Sequence, residues 1–382
     1  MKRLKEKWLD NGLSRKISKS INMKTCIYSP YIPKHFGGGE KYLFTVAQVF
    51  AQEGPVYIAI SSQTAFSPKQ NLRLKKLYED FLGEKLSKNI NFIATPLGTS
   101  SDFFSKLLWT KQFDVMYYAT DGSLFFSLAK RNILHIQIPF TNIHSSLINR
   151  FKLSNWQEKN TNSKFTKKII EKYWNTKIDY VHHPVIINEK ETAKVDLEKK
   201  EKIILHVGRF FRQLHSKRQD VLVSIFAKLK AKGWKLVLIG SVEDKDYLEE
   251  IKTLAKGLEI EIKTEISRKQ LLNWYRRSSI YWHATGFGVS DNKNPEKVEH
   301  FGISTVEAMS YGCAPVVIKK GGQKEILNGE LKKWLWNDKN ECLSLTKKLI
   351  KNNKLLKKVQ EQAIERANQF DRQKFEKKLI EK

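Results

Sequence analysis

The sequence is poor in cysteine and in acidic residues, and it has no long apolar run. Three cysteines occur among 382 residues, Cys26, Cys313 and Cys342, and none of their spacings is that of a metal site. A disulfide framework is therefore excluded as the basis of the fold, and we expect buried, reduced thiols in a cytosolic protein. No apolar run approaches the roughly 18 residues of a membrane span, and no secretory signal is visible.

The shortage of acidic residues leaves a large positive charge. Lysine and arginine number 69 against 40 aspartates and glutamates, which gives a net charge of +29. Such a surplus suits polyanionic partners, namely nucleic acid, an anionic membrane or phosphorylated substrates. The basic residues are spread over the whole chain and no nucleic-acid-binding motif accompanies them, so no nucleic-acid partner is expected.

The first 22 residues are rich in lysine and arginine, and their apolar residues recur at helical spacing. They could form a basic amphipathic helix that lies on a membrane surface. They could equally be a disordered extension before a domain that begins at Met23. The sequence leaves both readings open.

The length favours two domains, and the pattern of the chain gives their class. Strands are predicted in turn with helices, including a helix over 123–131, while residues 140–162 are polar and predicted to be irregular. This alternation indicates an α/β fold with parallel, doubly wound sheets. A charged stretch without hydrophobic periodicity separates the halves. The predicted divisions are an extension (1–22), an N-terminal acceptor-side domain (23–188), a linker (189–201), a C-terminal domain (202–370) and a final helix (371–382).

In the N-terminal half, polar residues follow predicted strands. Gly37, Gly38 and Gly39 stand between the first strand and a helix, which is the arrangement that lets a phosphate or sugar approach the backbone. Asp121 follows a later strand, where it could contact a ligand or simply cap a helix. His135 lies on the next strand and is a second candidate for a sugar or acceptor contact.

The most informative stretch of the second half joins two carboxylates eight positions apart, Glu299 and Glu307. A Phe301-Gly302 break separates them, a short helix follows, and Gly312 is placed to end that helix in a left-handed residue. A glycine at the start of a helix exposes free N–H groups that favour an anion such as phosphate. An alternative stays open, because Ser304 and Glu307 match a capping box in which Glu307 has only a structural role.

The second half resembles glycosyltransferase family 4, the group 1 glycosyltransferases, through five elements in order. They are Gly208-Arg209 with Lys217, Ile239-Gly240, Glu299 to Glu307-Ala-Met, Gly312 with Pro315, and Gly321-Gly322 with Glu325. The resemblance implies retaining enzymes of the GT-B architecture, in which two Rossmann-like domains face a cleft. It covers roughly residues 24–370 and is strongest over 203–330.

The resemblance also implies roles for individual residues. Arg209 and Lys217 would grip the donor pyrophosphate beside Gly208, Glu307 would accept hydrogen bonds from the ribose, and Glu299 would face the donor sugar. The amides of Phe301, Gly302 and Ile303 would meet sugar and phosphate, with Gly37–Gly39 approaching from the other domain. No metal or other cofactor is implied.

These patterns together predict a hexosyltransferase that uses a GDP- or UDP-linked donor, with mannose as one candidate sugar. The acceptor would be a glycan or a lipid-linked hydroxyl, and the enzyme would work in the cytoplasm, peripherally at the inner face of an anionic membrane. Two rivals remain from other classes. One is a GT-B protein that binds sugar nucleotides without turnover, and the other is a basic nucleic-acid binder.

Overall fold

The computed structural model of the protein describes residues 22–33, 37–141, 146–184, 195–213 and 215–380. Apart from Asn22, the predicted N-terminal extension lies outside the described residues. Residues 189–194 of the predicted linker lie outside them as well. No helix in these ranges is long and apolar enough to cross a membrane.

The first sheet has seven parallel strands in the order β3-β2-β1-β4-β5-β6-β7. Its strands are β1 (Thr25–Tyr28), β2 (Val56–Ser61), β3 (Ile90–Thr95), β4 (Val115–Ala119), β5 (Arg131–Ile136), β6 (Glu158–Thr161) and β7 (Tyr180–Val181). The intervening helices are α1 (Gly38–Phe50), α2 (Pro68–Leu82), α3 (Phe103–Thr110), α4 (Leu147–Asn155) and α5 (Lys164–Trp174).

The second sheet has six parallel strands in the order β10-β9-β8-β11-β12-β13. Its strands are β8 (Glu201–Val207), β9 (Lys235–Ile239), β10 (Ile260–Lys263), β11 (Ser278–His283), β12 (Ala314–Ile318) and β13 (Leu335–Trp336). The helices are α6 (Gln219–Leu229), α7 (Lys245–Ala255), α8 (Arg268–Arg277), α9 (Ile303–Ser310), α10 (Gln323–Ile326), α11 (Lys339–Lys351), α12 (Asn353–Ala367) and α13 (Arg372–Ile380).

Both sheets are doubly wound, as predicted. In the second sheet β8 lies beside β11, and the chain reverses its direction of winding between these two strands. In open α/β sheets, ligands bind at the carboxyl ends of the strands on either side of such a switch point. A ligand-binding site is therefore expected at the carboxyl ends of β8 and β11.

The described residues group into two compact units. One contains the residues up to Leu134 together with Phe151–Gln157, and the other contains His135–Arg150 together with the chain from Glu158 onward. The two sheets themselves lie on either side of the predicted linker, with β7 before it and β8 at its end. The predicted domain boundaries stay a prediction.

The helix predicted over 123–131 is wrong. The described segment from Gly122 to Lys130 contains no helix, and β5 begins at Arg131. Two hydroxyls before the segment, those of Tyr118 and Thr120, donate to the Ser123 carbonyl at 3.2 and 2.6 Å. The Phe125 ring then packs edge-on against Trp156 at 5.2 Å. These hydrogen bonds and the ring contact hold the segment in a non-helical conformation, which helical spacing alone could not reveal.

The prediction of an irregular segment over 140–162 is also wrong, because the segment contains α4 and β6. Helix α4 was missed because its large apolar residues do not form a buried stripe: Leu147, Ile148 and Phe151 are all exposed. Strand β6 was missed because its buried residues are polar. Asn160 and Thr161 are fully buried there, without any apolar alternation to mark a strand.

The local features predicted around α9 are confirmed. Gly302 precedes the helix with φ at +121°, and Gly312 follows it with φ at +74°, a left-handed conformation that glycine adopts without strain. Strand β12 is buried along its whole length. The three cysteines are free and buried, as expected.

A close approach of two backbone segments shapes the end of β8. Gly240 follows β9, and a Cβ atom added to it would lie 2.0 Å from the carbonyl oxygen of Gly208. The backbone of Gly208 is itself fixed, since its N–H donates to the Ile239 carbonyl at 2.8 Å. No side chain fits between these segments.

We therefore expect Gly240→Ala to lower the free energy of unfolding by about 3 kcal/mol, the upper end of the usual cost of overpacking. Gly257→Ala is the comparison, because a Cβ at Gly257 meets nothing within 4 Å. It should cost only about 1 kcal/mol for its left-handed backbone. Urea unfolding of both variants measures the difference, and equal costs would show that the close approach does not limit position 240.

Candidate active site

A cluster of charged side chains lies at the carboxyl ends of β8 and β11. Lys217 lies between the end of β8 and the start of α6, and His283 is the last residue of β11. Glu299 comes from the loop that precedes α9. Lys217 is 82 positions from Glu299 in the chain and His283 is 16 positions from it, and the fold of the sheet brings the three residues together.

Glu299 is the centre of this cluster. Its Oε2 atom accepts a hydrogen bond from the Lys217 ammonium at 2.7 Å and lies 3.0 Å from Nε2 of His283. The Lys217 and Glu299 side chains are each 17% exposed, so the ion pair is mostly withdrawn from water yet open on one side. The structure thus brings together two of the three residues predicted to be catalytic.

His283 is the partner that the sequence analysis missed. Burial lowers the pKa of its imidazole, so the ring is neutral and carries one proton. Because Glu299 is an acceptor, that proton belongs on Nε2, from which it can be donated to the carboxylate. Nδ1 is then an acceptor, and it has no hydrogen-bond partner among the described residues.

The surroundings of Glu299 keep it ionised. Burial alone would raise the pKa of its carboxyl group, but the charge of Lys217 and the hydrogen bond from His283 outweigh burial and hold the pKa well below its usual range. The carboxylate is therefore negative at every physiological pH. It can accept hydrogen bonds from a ligand but cannot act as a general acid.

Glu307 lies on α9 and has partners of its own. Oε1 accepts from Nη2 of Arg268 at 2.7 Å, and Oε2 accepts from the Tyr275 hydroxyl at 3.1 Å. The capping-box alternative is wrong: Gly302 is the N-cap, and the Ser304 hydroxyl pairs with Tyr281 at 2.8 Å. Glu307 is therefore not a helix cap. The sequence analysis did not identify Arg268 or Tyr275 as its partners.

The backbone before α9 is held by the glycine pair after β12. The Gly322 N–H donates to the Glu299 carbonyl at 2.8 Å. A Cβ added to Gly321 would lie 2.0 Å from that same oxygen, and one added to Gly322 would lie 2.4 Å from the His300 carbonyl oxygen. This contact fixes Glu299 and the amides of Phe301–Ile303 relative to β12.

Arg209 lies apart from this cluster. Its Nη1 atom donates to both carboxylate oxygens of Glu243 at 2.8 Å each, and both side chains are about one-third exposed. Gly208 lies closer, since a Cβ added there would be 2.6 Å from Cγ of Lys217. The predicted pairing of Arg209 with Lys217 on one pyrophosphate stays a prediction.

The candidates in the first sheet are placed as follows. Gly37 precedes α1 and donates its N–H to the buried Glu40 carboxylate at 2.9 Å, while Gly38 and Gly39 form the first turn.

Asp121 caps no helix; its Oδ1 accepts from the backbone N–H of Ser123 at 3.1 Å. His135 is fully buried with Nδ1 2.5 Å from Asn160, and burial lowers its pKa to about 3. Their roles stay predictions.

The arrangement at β8 and β11 is suited to a negatively charged, hydroxyl-rich ligand. It offers an ammonium, the N–H groups at the start of α9, and two carboxylates that can accept from hydroxyls. Within the described ranges, no three His, Cys, Asp or Glu side chains are grouped so that they could hold a metal ion. Positive charge at this site comes from Lys217 and Arg268.

Comparison with known families identifies this part of the chain. Residues 187–366 match the sequence profile of the family described as glycosyl transferases group 1. This range is a little under half of the chain, and it contains the whole second sheet together with Lys217, Glu299 and Glu307. The family predicted for this half of the chain is thereby confirmed.

Solved structures extend the likeness in fold to nearly the whole chain. HepE of Anabaena, crystallised with UDP and glucose, superposes with a TM-score of 0.67 at 17% identity, over 94% of this chain and 98% of that one. A glycosyltransferase of Rickettsia africae gives 0.69 at 16% identity, over 94% and 97%. The two sheets are thus those of a GT-B fold, as predicted.

A curated relative matches a shorter segment. It is a GDP-Man:Man(3)GlcNAc(2)-PP-Dol alpha-1,2-mannosyltransferase of Dictyostelium discoideum, 37% identical over 98 residues. The match takes in 24% of this chain and 17% of the relative. The chain therefore matches only about a sixth of that protein.

Because Glu299 is ionised and paired, its contribution to stability should depend on pH. A carboxyl group whose pKa is lowered by folding stabilises the folded state above its unfolded pKa of about 4.3 and loses this effect as pH falls toward the folded value. We expect Glu299→Gln to cost about 3 kcal/mol of unfolding free energy between pH 7 and pH 5, as for a broken buried pair. The cost should shrink below about pH 4.

Urea unfolding from pH 7 to pH 3 measures this cost. Glu243→Gln is the matched control, because the Arg209–Glu243 pair is about one-third exposed and should contribute less than about 1 kcal/mol. A cost for Glu299→Gln that is small at pH 7, or that does not change with pH, would contradict a paired, ionised Glu299.

Proposed function

We propose that the protein is a retaining hexosyltransferase that moves a sugar from a nucleotide-sugar donor to a hydroxyl of a glycan or lipid-linked acceptor. In this reaction the bond between the anomeric carbon and the diphosphate oxygen breaks. The acceptor oxygen forms a new bond to that carbon on the same face of the ring, and the proton of the acceptor hydroxyl passes to the departing diphosphate. The diphosphate leaves with the electron pair of the broken bond.

The observation that carries the proposal is the placement of Glu299 and Glu307 within the family-matched domain. Both carboxylates are ionised or ion-paired near the start of α9, and Lys217 lies within 2.7 Å of the first of them. The ammonium and the start of the helix can stabilise a departing diphosphate, while the carboxylates accept from donor hydroxyls. Glu299 serves the sugar and Glu307 the ribose.

Two nucleotide sugars are candidates for the donor. GDP-mannose is favoured by the name of the Dictyostelium relative, which matches 98 residues. UDP-glucose is the alternative, since it is bound in a crystal structure of HepE from Anabaena. None of the described side chains can be assigned to the base or to a particular hexose from its chemistry alone.

A panel of nucleotide sugars tests the proposal directly. Thermal unfolding in the presence of GDP-mannose, UDP-glucose and their nucleoside diphosphates should show a raised melting temperature for one donor, because ligands that bind only the folded state stabilise it. Turnover is then measured as release of the diphosphate. Donor binding without any turnover over a range of glycan and lipid-linked acceptors would favour a sugar-nucleotide-binding protein that is not an enzyme.

The two cations assigned to the diphosphate make a kinetic prediction. Lys217→Ala and Arg209→Ala should each lower kcat/KM by about 10²-fold, as expected for the loss of one charge-stabilising donor. Arg212→Ala is the control, because Arg212 is another arginine paired with a glutamate, Glu250, and has no assigned role. Since Lys217 also neutralises Glu299, its variant must be shown to be folded under the assay conditions. Near-normal turnover in both variants would remove these residues from the mechanism.

We propose that the enzyme binds to the cytoplasmic face of an anionic membrane through its positive charge. Residues 1–22 contain seven lysines and arginines against one glutamate and one aspartate. Each basic residue near an anionic surface contributes about 1 kcal/mol. We expect the full chain to sediment with anionic vesicles at low salt, less with neutral vesicles, and less as salt rises.

Deletion of residues 1–22 tests which part of the chain binds. The truncated protein should sediment less with anionic vesicles but retain donor binding, because every proposed donor contact lies at or after Gly37. Equal sedimentation of the two forms would show that residues 1–22 do not bind the membrane. Binding to DNA with a steep salt dependence, without any donor binding, would favour a nucleic-acid binder instead.

A further inference from the structure

Two side chains of α8 converge on the carboxylate that we assign to the ribose. Arg268 is the first residue of this helix and Tyr275 is seven positions later. Seven residues make almost two full turns, so the two side chains lie on one face of the helix. From that face Arg268 reaches Oε1 of Glu307 at 2.7 Å, and Tyr275 reaches Oε2 at 3.1 Å.

Both donors are themselves fixed in place. The Ser267 hydroxyl caps the helix by accepting from the N–H of Gln270, which sets the first turn that carries Arg268. Tyr275 is fully buried, and its ring stacks on Tyr311 with an interplanar angle of 5° and centroids 5.9 Å apart. Each oxygen of Glu307 therefore receives a donor from a rigid element.

Because Glu307 is buried, its ion pair with Arg268 is not explained by a gain in folding stability. The Glu307 side chain is 6% exposed and that of Arg268 is 24% exposed. A buried ion pair gains little or nothing over apolar residues of the same shape, because two charges must be removed from water. What the pair does provide is a carboxylate held in one orientation, which is what recognition of hydroxyls at fixed positions requires.

We propose that Arg268 and Tyr275 are positioning residues that orient the Glu307 carboxylate toward the hydroxyls of the donor's ribose. They make the enzyme selective for ribonucleotide donors over deoxyribonucleotides. The inference rests on the proposed function, since it needs a nucleotide-sugar donor. It adds two residues, and a specificity, that the paired-glutamate motif does not contain.

The experiment compares ribose with deoxyribose. GDP and UDP, each with its 2′-deoxy and 3′-deoxy forms, are titrated calorimetrically into the wild-type enzyme and into Arg268→Lys, Tyr275→Phe and Glu307→Gln. Lysine keeps the charge of Arg268, and phenylalanine removes only the hydroxyl of Tyr275, so both variants are designed to fold. Arg277→Lys, which alters an arginine at the other end of α8 that pairs with Glu201, is the matched control.

We expect the wild-type enzyme to bind one ribonucleoside diphosphate about tenfold or more tightly than its deoxy forms. Glu307→Gln should reduce this ratio most, and Arg268→Lys and Tyr275→Phe should each reduce it severalfold. Their affinities for the deoxy forms should change little. Arg277→Lys should leave the ratio unchanged.

Other outcomes separate the inference from the proposed function. If the wild-type enzyme binds neither diphosphate, the proposed function fails. If it discriminates through Glu307 but both positioning variants keep the full ratio, the inference alone is overturned. Equal weakening of ribose and deoxyribose forms in Arg268→Lys would also overturn it, because it would show that the guanidinium binds the base or phosphates rather than orienting Glu307.

Discussion

The ion pair between Lys217 and Glu299 is the interaction on which the site depends. It joins the segment after β8 to the loop before α9, and His283 adds the end of β11 to the same carboxylate oxygen. Charges this far from water are tolerated only when they are paired and hydrogen-bonded. The pair therefore fixes the relative positions of three segments, and a donor that arrives there meets groups already oriented.

Lys217, Arg268 and the more distant Arg209 each have a carboxylate partner in the structure. Lys217 pairs with Glu299, Arg268 with Glu307 and Arg209 with Glu243. In the proposed function, a diphosphate would therefore compete with protein carboxylates for Lys217 and Arg209. Competition is easiest at Arg209, whose pair is the most exposed of the three and the most weakened by solvent. Lys217 can instead be shared, since an ammonium has three donors and Glu299 uses one of them.

Sequence reasoning found the features that depend on neighbouring residues. The alternation of strands and helices, the left-handed Gly312 and the spacing of Glu299 and Glu307 are all local, and each is present in the structure. Partners that depend on the folded sheet were not found. Nothing near His283 or Arg268 in the chain indicates a carboxylate 16 or 39 positions away. The helix predicted over 123–131 failed in part for the same reason, since Trp156, which packs against Phe125 of that segment, is 31 positions away in the chain.

The surroundings of Glu299 and Glu307 differ, and the difference matches the roles that we propose for the two carboxylates. Several glycines lie close to Glu299, namely Gly208, Gly321 and Gly322. A side chain at any of these positions would collide with a neighbouring segment. Bare backbone leaves room for phosphate and sugar to approach N–H groups closely. Around Glu307 the neighbours are bulky side chains, Arg268 and Tyr275, which fill the space and restrict the carboxylate to one orientation. A transferable sugar and its diphosphate need access and charge, whereas a ribose that only anchors the donor needs a rigid acceptor. In the proposed function, the backbone beside the glycines would hold the sugar and diphosphate of the donor, and the fixed Glu307 carboxylate would hold its ribose.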